Sequence, residues 1–128
     1  MRSMEKDHIL ALGSDLFFAP KIESAAAALG CSTKWVREYA TVQDFMQALA
    51  DAPPALIVLD LNSALPWAEW LPAAKTEFAT RRIPWLAFGS HMNPRRLKAA
   101  RYSGADKVVP KSEFSAALVA LMQDLLEK

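Results

Sequence analysis

The sequence contains one cysteine, Cys31, two histidines and four glycines among its 128 residues. A single cysteine excludes a disulfide within the chain and fits a reducing compartment, so we expect the protein in the cytoplasm. So few cysteines and histidines exclude a zinc site built from these ligands. No apolar run approaches the roughly 20 residues of a membrane-spanning helix, and the N-terminal segment lacks the apolar core of a signal peptide.

The sequence motifs of several common enzyme classes are also missing. It has no Gly-x-Gly-x-x-Gly dinucleotide motif, no Walker A motif and no nucleophile elbow. The segment 13–17 has too few Ser, Thr and Gly residues for the phosphate-binding loop of a flavin mononucleotide site. We therefore expect that the protein is not an enzyme and carries no resident cofactor.

The length and composition indicate a single domain. Hydrophobic residues make up 52% of the chain, enough for a sizeable core, and we expect one domain over residues 1–128 with a flexible segment 1–6. The net charge of +1 produces no overall field that would attract nucleic acid or a membrane.

Short apolar runs alternate with helical patterns, which predicts an α/β fold with three layers and a doubly wound, parallel, five-stranded sheet. The predicted strands are 8–12, 34–39, 55–61, 84–88 and 107–109. The predicted helices are 18–29, 41–52, 66–80, 93–103 and a last helix that follows Ser112 as its N-cap. Pro72 predicts a kink in the third helix or a start at that residue, and Phe78 is expected on its buried side.

Two charged residues follow buried strands at the edge where open α/β sheets place their sites. Asp60 closes the apolar run 55–59, and Lys111 closes the shorter run 108–110. The first strand is instead followed by Gly13 and Ser14, which bring no charge. Any cation-binding pocket at this edge is therefore expected to be poor in acidic ligands.

These segments resemble the receiver domains of response regulators over nearly the whole chain. The run 56–62 matches the segment that carries the phosphoacceptor aspartate in that family, at Asp60. The segment 104–111 matches the family's Gly-Ala-Asp sequence that leads to its lysine, at Lys111, and 83–86 matches the entry to its fourth strand. The resemblance implies a flavodoxin-like sheet of order 2-1-3-4-5 and a role in two-component or phosphorelay signal transduction.

The sequence departs from the family at the positions that assist phosphorylation. Gly13 and Ser14 replace the two acidic residues after the first strand. The hydroxyl-bearing switch residue falls on Gly89, with Ser90 next, and the aromatic switch position is Val108. These departures predict a degenerate receiver, or pseudo-receiver, with at most residual phosphoacceptor or autophosphatase activity.

Two interpretations of the acidic position remain open. In the first, Asp60 is a phosphoacceptor with an atypical Mg²⁺ site formed by Asp60, the backbone carbonyl of Asn62, and Asp15 if the loop shifts by one residue. In the second, Asp60 is structural, and Lys111 is its ion-pair partner and keeps it ionised.

Basic residues concentrate between positions 81 and 111, where the only acid is Asp106. The candidates for partner binding on the fourth helix and fifth strand are Arg95, Arg96, Lys98, Arg101 and Lys107. The resemblance implies that the surface formed by the fourth helix, the fifth strand and the last helix carries signalling contacts. An acidic protein partner suits this surface, and a homodimer is a further expectation.

These observations give three functional hypotheses. The first is a stand-alone receiver-like module that signals by protein docking without ordinary Mg²⁺-dependent aspartyl phosphorylation. The second is a phosphorylatable receiver that uses Asp60. The third is a binder of nucleic acid or another acidic ligand through the segment 81–111, although no helix-turn-helix motif or aromatic-interleaved basic motif supports nucleic acid.

Overall fold

The computed structural model describes residues 7–13, 15–38 and 40–127. The expected flexible segment 1–6 lies outside these residues, as do Ser14 and Tyr39. The strands are β1 (His8–Leu12), β2 (Ser32–Val36), β3 (Leu56–Asp60), β4 (Trp85–Gly89) and β5 (Lys107–Pro110). The helices are α1 (Ala19–Ala28), α2 (Val42–Asp51), α3 (Trp67–Thr76), α4 (Pro94–Tyr102) and α5 (Lys111–Leu126).

The strands form one parallel sheet in the order β2-β1-β3-β4-β5, which confirms the predicted topology. Every residue of β3 and β4 is buried because helices cover both faces of the sheet. The carboxyl ends of the parallel strands meet at one edge, so Asp60 and the residues after β1, β4 and β5 come together there.

Two hydrophobic cores lie on opposite faces of the sheet. One face packs against α2, α3 and α4, and its centre contains Phe45 stacked on Trp70 at 4.3 Å between ring centroids. The other packs against α1 and α5 and contains Phe88 stacked on Phe114 at 3.9 Å. Phe18, which precedes α1, contacts both of these rings. Asp60 therefore ends a strand that is held rigidly from both sides.

The second strand begins earlier than the alternation of side chains predicted. It spans Ser32–Val36, so the predicted strand 34–39 starts two residues too late and wrongly includes Arg37 and Glu38, while Tyr39 lies outside the described residues. Pairing with β1 sets the register from His8 opposite Ser32 to Leu12 opposite Val36. Because β1 offers only five pairing residues, the strand ends where its neighbour ends.

The third helix passes through Pro72 and ends at Thr76, so neither a start at Pro72 nor a helix to residue 80 is found. Pro72 is exposed, and the hydroxyl of Thr76 donates to its carbonyl oxygen. Phe78 lies beyond the helix and is 82% exposed, which contradicts its predicted place in the core. The guanidinium of Arg81 covers its ring instead.

The last helix begins at Lys111, with Pro110 as the preceding residue, so Ser112 is inside the helix and is not its N-cap. The predicted buried stripe is present at Phe114, Leu118, Met122 and Leu125. Within the described ranges, no helix has the length and apolar character needed to cross a bilayer.

Candidate functional site

Asp60 is the centre of the candidate site and is only 6% exposed. Its Oδ1 accepts a hydrogen bond from the backbone N–H of Asn62 at 2.9 Å, which closes the turn after β3. Burial raises the pKa of the Asp60 carboxyl above its ordinary value. The Asn62 N–H opposes that rise, the charge of Asp15 adds to it, and Lys111 and Arg96 oppose it more weakly. The surroundings of Asp60 therefore disfavour its anionic form on balance.

Gly13 follows β1 at a point where a side chain would meet Asp60. Its N–H donates to the carbonyl of Val36 at 3.0 Å, which extends the pairing of β1 with β2. Its φ of +146° is a conformation that side chains with a Cβ rarely adopt. A Cβ placed on Gly13 would lie 2.8 Å from the Cβ of Asp60, closer than two carbon atoms can approach. This position therefore excludes the carboxylate that the receiver pattern places after the first strand.

Asp15 and Asp60 line the same small cavity. This is the position from which Asp15 was expected to supply one acidic metal ligand. Its Oδ1, however, accepts a hydrogen bond from the N–H of Phe17 at 2.8 Å, which shapes the loop before α1. The cavity has a volume of only about 10 Å³, roughly the space that one water molecule needs. Its other walls include Phe18, Trp35 and Phe88.

The described residues at this edge do not form a preassembled Mg²⁺ site. Mg²⁺ requires six ligands in near-octahedral geometry and usually keeps several waters. Among the described residues, the oxygen donors here are the carboxylates of Asp60 and Asp15, which line the cavity, and the backbone carbonyl of Asn62. In the described part of the chain, no group of three His, Cys, Asp or Glu residues could hold a metal ion.

Lys111 is at the first position of α5 and is partly exposed. Its charge lowers the pKa of Asp60, yet no ion pair within 4.0 Å joins these two described residues. The expected ion pair between Lys111 and Asp60 is therefore not formed, and Lys111 acts on the carboxyl only through its charge.

Of the three switch positions, Gly89 and Val108 are buried, and Ser90 forms a hydrogen bond within the loop after β4. A Cβ on Gly89 would lie 3.2–3.3 Å from side-chain atoms of Leu61 and Leu97, so a larger residue would have to displace both. The hydroxyl of Ser90 accepts from the N–H of Met92 at 3.1 Å and stabilises the loop after β4. Val108 is 6% exposed and belongs to the core beneath α2, α3 and α4.

The basic residues chosen as partner-binding candidates separate into two groups. Arg95, Lys98 and Lys107 are exposed and make no hydrogen bond within the described chain. Arg96 turns toward the site, where its Nη1 donates to Oδ1 of Asn62 at 3.0 Å. Arg101 donates from Nη2 to the carbonyl of Val108 at 3.3 Å. Two of the five candidates are thus already engaged by the fold.

Sequence reasoning missed a polar cluster at the opposite edge of the sheet. Nζ of Lys75 is 2.7 Å from Oδ2 of Asp106 and 3.0 Å from the carbonyl of Ile83. The same carboxylate oxygen accepts from the N–H of Trp85 at 2.7 Å. The stem of Lys75 crosses Gly104, where an added Cβ would be 3.1 Å from Cγ of the lysine. The Gly-Ala-Asp sequence was a signal for this structural role.

No protein-family model matches the sequence, and a sequence comparison with curated proteins finds no match. Comparison with solved structures finds similar ones. The chemotaxis response regulator CheY4 of Vibrio cholerae is 14% identical with a TM-score of 0.74, over 94% of this chain and 99% of that one. The signal receiver domain of a signal transduction histidine kinase from Syntrophus aciditrophicus is 20% identical with a TM-score of 0.76, over 94% and 90%.

A third similar structure is the receiver domain of the sensor histidine kinase PA1611 from Pseudomonas aeruginosa, which has a magnesium ion coordinated in its active site cleft. It is 16% identical with a TM-score of 0.76, over 97% of this chain and 100% of that domain. At these identities the likeness is one of fold. The chain has the fold of response-regulator receiver domains, as the sequence motifs predicted.

Proposed function

We propose that this chain is a receiver-like signalling module of the cytoplasm that acts by docking to a protein partner, without ordinary Mg²⁺-dependent phosphorylation of Asp60. The fold that it shares with receiver domains supports the signalling role. The close approach of Gly13 to Asp60 carries the second part of the proposal, because it leaves no room for the acidic side chain that the receiver pattern places at this position.

Phosphorylation of an aspartate brings together two anionic groups, and a metal ion relieves their repulsion. Among the described residues, Asp15 supplies the only other carboxylate near Asp60, and Asp60 itself is buried with a raised pKa. The residues that remain at the edge therefore supply little charge to attract Mg²⁺. The switch positions Gly89 and Val108 carry neither the hydroxyl nor the aromatic ring that would respond to a phosphoryl group.

The docking surface that we propose, the cationic α4 surface, consists of Arg95, Lys98, Tyr102 and Lys107. All four side chains are exposed, and Tyr102 is 92% exposed at the end of α4. Exposed cations around an exposed aromatic ring suit a partner that offers carboxylates beside apolar groups. An acidic protein surface is the partner that this arrangement favours.

The direct test is incubation of the purified chain with acetyl phosphate and Mg²⁺, followed by intact-mass measurement. The expected result is no stable addition of a phosphoryl group. A parallel titration with Mg²⁺ and beryllofluoride is expected to leave the tryptophan fluorescence and the melting temperature unchanged. Incorporation of one phosphoryl group that Asp60→Asn abolishes would refute the proposal.

A phosphorylatable receiver is the second candidate, and one observation favours it. Asp15 and Asp60 line one cavity, so a small movement of the loop before α1 would bring two carboxylates to a common cation. In that case Mg²⁺ and beryllofluoride together raise the melting temperature, and Asp15→Asn removes the effect. Neither result is expected from the docking module.

A nucleic-acid or acidic-ligand binder is the third candidate, supported by the exposed Arg95, Lys98 and Lys107. Such binding would weaken steeply as the salt concentration rises, because counterions are released on association. A titration of labelled DNA or RNA at two salt concentrations separates this candidate from protein docking. Absent or salt-insensitive binding would dismiss it.

A further inference from the structure

A continuous chain of hydrogen bonds joins the buried carboxylate to the first turn of α4. The backbone N–H of Asn62 donates to Oδ1 of Asp60 at 2.9 Å, and the side-chain Oδ1 of Asn62 accepts from Nη1 of Arg96 at 3.0 Å. The backbone N–H of Arg96 donates in turn to the side chain of Asn93, the N-cap of α4. Asn62 therefore contacts the buried site with its backbone and α4 with its side chain.

Other routes between Asp60 and α4 are apolar. Gly89 lacks a side chain, and Leu61 and Leu97 fill the space around it. Val108 is buried in the core below α4. Arg96 is also close enough to Asp60 for its charge to act on the carboxyl, although no ion pair forms between these described residues. The polar coupling of the two regions thus runs through the side chain of Asn62.

The guanidinium of Arg96 stands between the site and the cationic α4 surface. Arg96 occupies the first turn of α4, beside the exposed Arg95, and is itself partly exposed. Its present acceptor is a neutral amide oxygen. A carboxylate is a stronger acceptor for a guanidinium, because charge-assisted bonds are about twice as strong as neutral ones and pair bidentately with arginine. An acidic group that arrives at α4 can therefore compete with Asn62 for this side chain.

We propose that Arg96 is a latch between α4 and the loop after β3, and that an acidic partner opens it by drawing the guanidinium away from Asn62. This inference rests on the proposed docking function and names its regulation. Binding of the partner to α4 and loss of the hydrogen bond between Arg96 and the β3–α3 loop are then coupled events. By thermodynamic linkage, a change that weakens the bond between Asn62 and Arg96 strengthens the binding of the partner, by at most the same factor.

A poly-glutamate peptide serves as the probe, and its binding to the full chain is followed by ¹H–¹⁵N spectra. The backbone signal of Asn62 is expected to move together with those of α4. Asn62→Ala frees the guanidinium and is expected to bind the peptide about fivefold more tightly. Asn62→Asp places a carboxylate beside the guanidinium of Arg96, so this variant is expected to bind the peptide more weakly than the wild type does. The side chain of Asn62 is exposed and its backbone N–H is kept, so both variants are expected to fold.

The decisive comparison places Asn62→Ala in two backgrounds. The gain in affinity is expected to persist in Arg95→Ala, a matched loss of one exposed cation on the same turn, and to vanish in Arg96→Ala. A gain of equal size in both backgrounds, or no gain at all, overturns the latch while the docking function stands. If no variant binds the peptide, the docking function and the latch both fall.

Discussion

Gly13 illustrates how one residue without a side chain can decide the chemistry of a site. A Cβ on this residue would lie 2.8 Å from the Cβ of Asp60, and its φ of +146° is one that residues with a side chain rarely adopt. The usual view of a missing acidic residue is that restoring it restores the metal site. Here the backbone occupies the place of the side chain, so the loss of charge and the loss of space are one structural feature.

Replacement of Gly13 by aspartate is therefore expected to destabilise the fold without creating a Mg²⁺ site. The strained backbone and the contact with Asp60 together predict a loss of about 1–3 kcal/mol in the free energy of unfolding. Urea denaturation with and without Mg²⁺ measures both effects. Gly30→Asp is the matched control, because Gly30 also has a positive φ, at +78°, but nothing lies within 4 Å of its added Cβ. A Gly13→Asp variant that Mg²⁺ stabilises would contradict our account of the site.

Asp60 predicts a specific dependence of stability on pH. Its pKa in the folded state is raised above the ordinary value of 3.8, so the folded state binds the proton more tightly than the unfolded state. The stabilising contribution of the protonated form is complete below pH 3.8 and is lost as the pH rises through the folded-state pKa. At neutral pH the ionised carboxylate thus costs stability.

Asp60→Asn removes this cost while it keeps an acceptor for the N–H of Asn62. The variant is expected to melt at a higher temperature than the wild type at pH 7, by about 3–6 °C for each kcal/mol recovered. The difference is expected to shrink as the pH falls toward the ordinary pKa of the carboxyl. Thermal melts across the pH range provide the measurement, with the exposed Glu113→Gln as the control. A variant less stable than the wild type at pH 7 would show that Asp60 is held as a favourable anion.

At the scale of the elements, pairing and capping override the local pattern of side chains. The strand β2 begins at Ser32 because β1 sets its length and register. The helix α3 continues through Pro72 because Trp70, Leu71 and Ala74 on its other side are fully buried. The start of β4 depends on Asp106, which is distant in sequence and accepts the N–H of Trp85.

The cluster of Asp106 and Lys75 is expected to stabilise the junction of α3, β4 and β5. Asp106→Ala leaves the N–H of Trp85 without its acceptor and removes the carboxylate partner of Lys75, and about 2 kcal/mol of unfolding free energy is expected to be lost. Asp106→Asn keeps an acceptor for Trp85 and is expected to cost less, since the ion pair is partly exposed to solvent. Chemical denaturation measures the free energy of unfolding of each variant and shows which one loses more. Equal losses would show that the ion pair, and not the bond to the strand, carries the stabilisation.

At the scale of the whole molecule, the space beside Asp60 differs from the exposed, positively charged surface of α4 and β5. The cavity beside Asp60 is small, whereas Arg95, Lys98, Tyr102 and Lys107 are exposed on α4 and β5. Asp60 therefore has little open space beside it, whereas the cations on α4 and β5 are accessible to a partner. The proposed role in docking follows from that contrast.

The docking proposal predicts that charge reversal on α4 abolishes capture of an acidic partner from an extract of the source cell. Arg95→Glu with Lys98→Glu is the test variant, because both side chains are exposed and make no hydrogen bond within the described chain. Arg81→Glu with Arg82→Glu changes the net charge equally in the loop before β4 and is expected to retain the partner. Capture is also expected to be the same for Asp60→Asn and independent of Mg²⁺. Equal losses for both pairs would indicate nonspecific attraction.

The amino-acid sequence by itself determined the order of strands and helices and the position of Asp60 at the end of β3. Periodicity, helix caps such as Thr41 and Asn93, and glycines after helices are local features, so they can be interpreted without coordinates. The sheet order followed from the resemblance to receiver domains, whose motifs are spaced along the chain as they are in the fold.

Only the tertiary structure decided what surrounds Asp60. The approach of Gly13, the direction of Arg96 toward Asn62 and the separation of Lys111 from Asp60 depend on how segments distant in sequence pack together. Composition shows which charges are present, but the space between them is set by backbone dihedral angles and side-chain packing.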